Sequence, residues 1–376
     1  MKILVTANYY PEKVGGIEIV VHNLVSRFRK AAHDVRWVAS DVHDRRRIPR
    51  AGDYPIKAWN FTEKRLGFPY PVPRPAALAA TVEHVKWADV VHIHDCLYLH
   101  NQYIFWQAKR LHKPVILTQH IGTVPYPQFY KGVLQKVAYH TIGKAVLGRA
   151  DQVVFVSEAV KAWFDSFVKF RRPPAVFPNG VDPAIFGHEN RDEHQPPGNS
   201  PSLLFVGRFT QKKGLTLIRE VAAARPAWAW TLVGTAADIN PADWHLDNVT
   251  VLPTCTQPEL RKLYRAADLL ALPSVGEGFP LVVAEAMGCG TPVLIGPDTA
   301  AALPGLKDCV AVAELTPSGI LETIEGIVSD RVGSAKLSAA GRSFATRYLN
   351  WDTASDNYLR LFESILTERN TSQQSM

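Results

Sequence analysis

Apolar runs of strand length, each followed by a stretch of helical periodicity, recur along this chain and restrict it to very few architectures. The runs Lys2–Ala7, Val35–Ser40, Ala88–Asp95, Pro114–His120 and Asp151–Ser157 are too short for buried helices. After the first of them, Ile17, Val20, Val21, Leu24, Val25 and Phe28 share one face of a helix predicted over Ile17 to about Lys30. Such alternation predicts an α/β fold with a parallel, doubly wound sheet. The polar, Pro- and Gly-containing stretch Asp192–Ser202 reads as a linker. Beyond it the pattern restarts, with strands at Leu203–Gly207, Trp230–Gly234, Val249–Pro253, Leu269–Pro273 and Pro292–Gly296. Helices are predicted over about Thr216–Ala224 and Gln257–Ala267. A length of 376 residues fits two domains. Two such halves imply a cleft between them, and open parallel sheets bind ligands at the carboxyl ends of their strands. Gly15, Gly16, His120, Arg208, Pro253 and Glu277 all fall at such ends.

With 47% hydrophobic and 20% charged residues the chain can bury substantial cores. Its apolar runs are far shorter than a membrane span requires. Met1–Ala7 reads as a strand ended by Asn8 and Tyr9 rather than as a leader. Cys96, Cys255, Cys289 and Cys309 share no metal-type spacing and read as reduced packing residues of a cytoplasmic protein. Charge is unevenly divided: residues 1–190 carry a net +11 and residues 191–376 a net −4. The first half is therefore expected to face an anionic surface or polymer. A nucleic-acid partner is not expected, because no motif interleaves aromatic and basic residues in the required way. Asp44–Arg50 reads as a solvated basic loop. Trp163, Phe164, Phe167 and Phe170, ahead of Arg171 and Arg172, fit one helix that buries an aromatic face or offers part of it to lipid.

The most informative short stretch is Glu277-Gly-Phe-Pro-Leu-Val-Val-Ala-Glu285, two carboxylates around seven uncharged residues. Gly278 and Pro280 disfavour a continuous helix or strand, so a loop turning into a helix is predicted from about Pro280 to Met287. Gly288 and Gly290 would close it. The unpaired N–H groups of its first turn would then face outward beside Glu277, where an anion is favoured. Arg208 and Lys213 lie in the loop Val206–Gly214, again between a strand and a helix. Two cations there can converge on one diphosphate, the guanidinium through paired hydrogen bonds and the ammonium as a point charge. Taken alone, the loop reads as a solvated turn; beside the Glu277 helix, the anion site is the better reading. Lys213 is preferred to Lys212 because it directly precedes Gly214.

These pieces resemble the family-4 retaining glycosyltransferases of the GT-B fold, two Rossmann-like domains facing a central cleft. The matching segments are Gly15-Gly16, "DVVHIHD" (89–95), His120, "SEAVK" (157–161), "PNGVD" (178–182) and "VGRFTQKKG" (206–214). "ELRKLYRAADLLALPS" (259–274), the segment from Glu277 through "EAMGCGTPV" (285–293) and "YLNWDTASDNYLRLF" (348–362) complete the set. The resemblance implies an acceptor-side domain over 1–185, a donor domain over 200–354, and a closing helix at about 355–376 that returns to the first domain. It implies that Arg208 and Lys213, with the N–H groups of Leu281 and Val282, hold a donor diphosphate. Glu285 would take the ribose hydroxyls. Glu277 would take those of the transferred sugar, with the N–H groups of Gly278 and Phe279 close by. Pro253 and its neighbours would form the nucleobase pocket. Gly16 would let its loop approach the phosphates without a Cβ in the way. His120 would stand near the reacting sugar, with Gly15, His94 and Asp95 on the acceptor side, while His92 reads as structural.

No metal or cofactor beyond the nucleotide-sugar is implied, since two cations and a helix dipole do the neutralising. The expected reaction moves a hexose or N-acetylhexosamine from a UDP- or GDP-sugar to a polyprenyl-diphosphate-linked sugar or growing polysaccharide. The enzyme would act in the cytoplasm, docking reversibly on the inner face of the cytoplasmic membrane. The rivals are a nucleotide-sugar 2-epimerase, a transferase acting on a soluble small molecule, and a non-catalytic basic binder. One segment departs from the family pattern: Pro297–Gly305 replaces the usual Gly-Gly pair and acid.

Overall fold

A computed structural model of the chain describes residues 1–11, 15–41, 50–62, 70–123, 128–187 and 200–374. Most of the basic loop at Asp44–Arg50 and of the predicted linker lies outside the described residues. The chain divides into two units, the first holding Met1–Thr123, Gln128–Phe177 and Trp351–Met376, the second Pro178–Asn350.

The strands of the first unit are β1 (Lys2–Tyr9), β2 (Asp34–Ser40), β3 (Asp53–Ile56), β4 (Ala58–Trp59), β5 (Val72–Pro73), β6 (Val90–His94), β7 (Val115–Gln119), β8 (Gln152–Phe155) and β9 (Ala175–Val176). Seven of them form one sheet in the order β3-β2-β1-β6-β7-β8-β9, and every neighbouring pair is parallel. The short pair β4-β5 is antiparallel. Because β1, β6, β7 and β8 are covered on both faces, they read as unbroken apolar runs instead of alternating ones. The longer helices of this unit are α1 (Gly16–Lys30), α2 (Pro75–Trp87), α3 (Leu99–Arg110), α4 (Phe129–Ala138) and α5 (Glu158–Asp165).

The second unit contains β10 (Ser202–Val206), β11 (Ala229–Val233), β12 (Val249–Leu252), β13 (Leu269–Leu272), β14 (Val293–Ile295) and β15 (Ala311–Val312). All are parallel, in the order β12-β11-β10-β13-β14-β15. Its longer helices are α6 (Leu215–Ala224), α7 (Gln257–Ala266), α8 (Leu281–Cys289), α9 (Pro317–Ser329) and α10 (Arg331–Tyr348). The chain then returns to the first unit as α11 (Trp351–Gln374), where the Phe362 ring meets Phe28 of α1 edge-on at 5.6 Å.

Each sheet reverses its winding once, between β1 and β6 in the first unit and between β10 and β13 in the second. At such a point the two loops leaving the strands diverge to opposite faces and leave a crevice at the carboxyl ends. The loop after β10 carries Arg208, Lys212 and Lys213, and the loop after β13 carries Glu277.

Several sequence expectations need correction. β1 runs on through Asn8 and Tyr9, because both are buried and the ladder with β2 continues to Tyr9 opposite Ser40. α8 begins at Leu281, with Pro280 in extended backbone as its N-cap. Gly288 lies inside that helix: a Cβ there would come within 2.9 Å of the Phe186 carbonyl oxygen, so its small size serves packing. The left-handed Gly290 (φ 76°) alone terminates the helix. α5 stops at Asp165, short of Phe167 and Phe170, which with Trp163 pack on the core of the first unit beside the fully buried Phe164. Of the four cysteines, Cys96 and Cys289 are buried while Cys255 and Cys309 are half-buried.

Candidate functional site

In the second unit the site begins with two glycine-controlled loops. Gly214 is left-handed (φ 75°), and a Cβ on it would collide with the carbonyl oxygen of Pro273 at the end of β13. That close approach, together with the Val275 N–H donating to the Lys212 carbonyl (2.9 Å), ties the 207–214 loop to the 273–279 loop. The side chains follow the backbone. Lys213 Nζ lies 2.9 Å from Glu277 Oε1, and Lys212 Nζ lies 3.9 Å from the same oxygen. Sequence reasoning singled out Lys213; the structure adds Lys212.

Burial by itself would raise the Glu277 pKa, but Lys213, Lys212 and Arg208 outweigh it and hold the carboxyl below its ordinary range. Burial lowers the Lys212 pKa, with Glu277 opposing and Lys213 and Arg208 adding to the effect. Three cations therefore crowd about one carboxylate, and Arg208 is the exposed member. An incoming dianion would relieve their mutual repulsion.

The first turn of α8 continues this loop. The Val283 N–H returns to Pro280 (3.1 Å), leaving Leu281 and Val282 at the two positions where a helix has no internal acceptor to offer. The Phe279 carbonyl is held by the side-chain amide of the buried Asn179 (2.9 Å), which steadies the approach to the helix. Asn179 belongs to the "PNGVD" segment, a motif legible in the sequence but without an evident task there. One turn further in, Glu285 is 9% exposed and accepts a hydrogen bond from the Tyr264 hydroxyl of α7 (2.8 Å). Burial, opposed by that bond, pushes its carboxyl up to about 7. Tyr264 also lay in a recognised motif without an assigned role. Pro253 stands exposed just past β12, two strands from β10 in the sheet order. The divergent Pro297–Gly305 segment starts with a single helical turn over Pro297–Ala300 and ends at the left-handed Gly305 (φ 77°).

In the first unit, a second group of residues gathers where β1, β6 and β7 end. His94 and His120 are both buried, with His94 Nδ1 2.8 Å from His120 Nε2. One ring must donate and the other accept, so each fixes the tautomer of the other. Burial holds His120 down to about 3 and, with neighbouring His92 and His120, drives His94 well below its ordinary value. Both rings are neutral near pH 7. Asp95 adopts φ 67°, a conformation that Asp tolerates better than most residues, and its Oδ1 accepts the His120 backbone N–H (3.3 Å). Burial raises the Asp95 carboxyl to about 7, with the His120 N–H opposing and Glu18 adding to the rise.

Glu18 stands in the first turn of α1, folded back over Gly15. A Cβ on Gly16 would meet nothing within 4 Å, so the protein leaves that space open. His92 is structural, as expected: its Nε2 meets Thr118 Oγ1 (2.8 Å), which in turn meets the Tyr358 hydroxyl of α11 (3.0 Å). The carbonyls of His94 and Asp95 are both held by the Asn101 amide (2.6 and 2.9 Å), a support that sequence reasoning missed. Only α3 folding over the β6 end makes that support visible. Among the described residues no three His, Cys, Asp or Glu side chains converge as a metal site would require.

Comparison with known proteins bears on the whole chain. The description Glycosyltransferase Family 4 matches residues 14–185, and Glycosyl transferases group 1 matches residues 200–330. The D-inositol 3-phosphate glycosyltransferase of Segniliparus rotundus is 29% identical over 321 residues, 77% of this chain and 69% of that one. Its namesake from Jonesia denitrificans is 28% identical over 317 residues, covering 74% and 72%. Among solved structures, sucrose-phosphate synthase from Thermosynechococcus elongatus aligns with a TM-score of 0.79 at 21% identity, over 98% of this chain and 100% of that one. Anabaena HepE, solved in complex with UDP and glucose, aligns at 0.74 and 16% identity, over 97% and 100%. At such identities these two likenesses establish the fold.

Proposed function

The chain belongs to glycosyltransferase family 4, and on that premise we propose that it moves a hexose or N-acetylhexosamine from a UDP- or GDP-sugar to a hydroxyl, with retention of anomeric configuration and without a divalent metal. The observation that carries the donor assignment is the convergence of Lys212 and Lys213 on Glu277 beside the first turn of α8. As the bond between the anomeric carbon and the diphosphate oxygen breaks, negative charge builds on the departing phosphate. Arg208, Lys213 and the N–H groups of Leu281 and Val282 offset it from fixed positions, which is where electrostatic catalysis gains most. Glu277, kept ionised by its lysines, accepts hydrogen bonds from the sugar hydroxyls, with the N–H groups of Gly278 and Phe279 nearby. Glu285 does the same for the ribose, and Pro253 lies against the base. The UDP bound to Anabaena HepE supports a uridine donor.

We assign Gly15, His94 and Asp95 to the acceptor side, Gly16 to the donor phosphates and His120 to the reacting sugar. The neutral His120 ring acts there as a hydrogen-bonding partner and not as a cation. The acceptor is proposed to carry phosphate, given the net +11 over residues 1–190. Two sources share that chemistry: a phosphorylated polyol, as the names of the relatives suggest, or a polyprenyl-diphosphate-linked sugar. The test is a panel of UDP- and GDP-sugars in EDTA, offered with inositol phosphate in one arm and a polyprenyl-diphosphate sugar in the other. Transfer to either, with the donor's anomeric configuration kept in the product, is expected. Strict metal dependence, an inverted anomer, or a free epimerised sugar with no transfer would overturn the reading.

A further inference from the structure

α4 is an amphipathic helix turned inside out. Its buried positions include Gln135, and Tyr139 and Gly143 of the following π-turn (Tyr139–Gly143) also point inward. The apolar side chains point to solvent: Phe129 is 86% exposed, Tyr130 64%, Leu134 55%, Val137 52% and Val133 42%. At about 100° per residue, Phe129, Val133, Val137, Tyr130 and Leu134 follow one another around a single arc of roughly 140°. Lys136 borders that arc beside Phe129, and Lys131 borders it beyond Leu134. Ile142 (44% exposed) and Lys144 extend the same character past the π-turn. A soluble helix normally shows the reverse arrangement, and exposed apolar patches of this kind mark interaction surfaces.

The charges around the patch say what would cover it. Between Asp95 and Asp151 the sequence holds seven Lys and Arg and no Asp or Glu. The natural complement is a surface that is apolar beneath and negative on every side of the contact. A bilayer with anionic headgroups has that form: apolar side chains enter the acyl boundary while lysines on both flanks reach the phosphates. Among the described residues no helix is long and apolar enough to cross a membrane, so the contact would lie in the interface plane.

We propose that α4 and the π-turn after it dock this protein on an anionic lipid surface, through Phe129, Tyr130, Leu134 and Val137 flanked by Lys131 and Lys136. The proposal does not rest on the catalytic reading, since an enzyme with a soluble acceptor could use the same face. The aromatic segment around Trp163, once a candidate for lipid contact, packs on the core and takes no part.

Vesicle flotation of the full-length chain tests it. The protein should float with phosphatidylcholine vesicles that contain phosphatidylglycerol, stay behind with phosphatidylcholine alone, and release as salt is raised. Phe129→Glu with Leu134→Glu should weaken flotation at least about tenfold. Lys131→Glu with Lys136→Glu should remove the preference for anionic lipid. All four side chains lie at the helix surface, so melting curves matching wild type will show that the variants fold. Failure to float, or flotation unchanged in both variants, overturns the proposal. So does a wild-type dimer that the Phe129/Leu134 variant dissociates without any lipid binding in either protein, which would make the face a contact between two copies of this chain.

Discussion

Replacing Glu285 by Gln should make this protein more stable and a poorer binder of its donor. Glu285 is nearly fully buried, and its carboxyl is pushed from the ordinary 4.5 to about 7. Between those values the folded protein holds a proton that the unfolded chain has released, so stability falls as pH rises through that window. A shift of roughly 2.5 units at 1.36 kcal/mol per unit makes the full loss about 3 kcal/mol above pH 7. Gln cannot ionise, and its carbonyl oxygen can still accept the Tyr264 hydroxyl. Near pH 8 the variant should therefore exceed wild type by about 3 kcal/mol, and the gap should close as the pH approaches 4. Other titrating groups, Asp95 among them, are common to both proteins and cancel in the difference. Urea unfolding of the two chains across a pH series measures it directly. In the same variant nucleotide-sugar affinity should drop about tenfold, because a carboxylate accepts hydroxyl hydrogen bonds more strongly than an amide. If the two unfolding curves coincide near pH 8, or differ by an amount that pH does not change, Glu285 is not a carboxyl raised by burial.

Further outcomes follow from the same geometry. Lys213→Ala should weaken UDP or GDP binding by ~1.5–3 kcal/mol, roughly tenfold to a hundredfold by calorimetry; wild-type affinity would remove the diphosphate from this loop. Gly214→Ala should lower thermal stability by more than about 1 kcal/mol, because the left-handed φ of 75° and the Pro273 carbonyl both reject a Cβ. Asn179→Ala should reduce donor affinity without touching the donor, by freeing the Phe279 carbonyl and loosening the entry to α8; Asn179→Asp, which removes the amide donor too, should behave alike. His120→Ala should lower kcat while leaving nucleotide affinity intact, and no limb of the wild-type pH–rate profile near 6.5 should trace to His120, whose pKa is held near 3 by burial.

Much of the architecture is legible without coordinates because it rests on local rules. Strand-length apolar runs alternating with helical periodicity leave little but parallel sheets, and the central strands β1, β6, β7, β10, β11 and β13 stand where those runs predict. The edge strands β3, β9 and β15 were not foreseen. They are two to four residues long with weak apolar pattern, and their pairing is set by the strand beside them. The glycines and prolines of the Glu277 loop likewise announce a turn entering a helix, since their backbone preferences are intrinsic. Where that helix ends was less clear: Gly288 and Gly290 look alike in sequence, and only the Phe186 backbone packed against one of them tells packing from termination.

The site divides along the same line. Residue types and spacing single out Arg208 and Lys213 on one loop and Glu277 and Glu285 at the start of and within the next loop–helix segment, while the roles expected of them come from the family resemblance. The state of those groups was decided by tertiary structure. Lys212 joins Lys213 only because the 207–214 loop is pinned against the end of β13. Glu277 stays charged because those lysines face it, whereas Glu285, eight positions on, is pushed toward neutrality by burial beside Tyr264. Identical side chains acquire opposite tendencies from what surrounds them, and those surroundings come from parts of the chain distant in sequence. The outward apolar face of α4 shows the same dependence. Its periodicity is that of a buried helix, and only the fold determines which side of it meets the core.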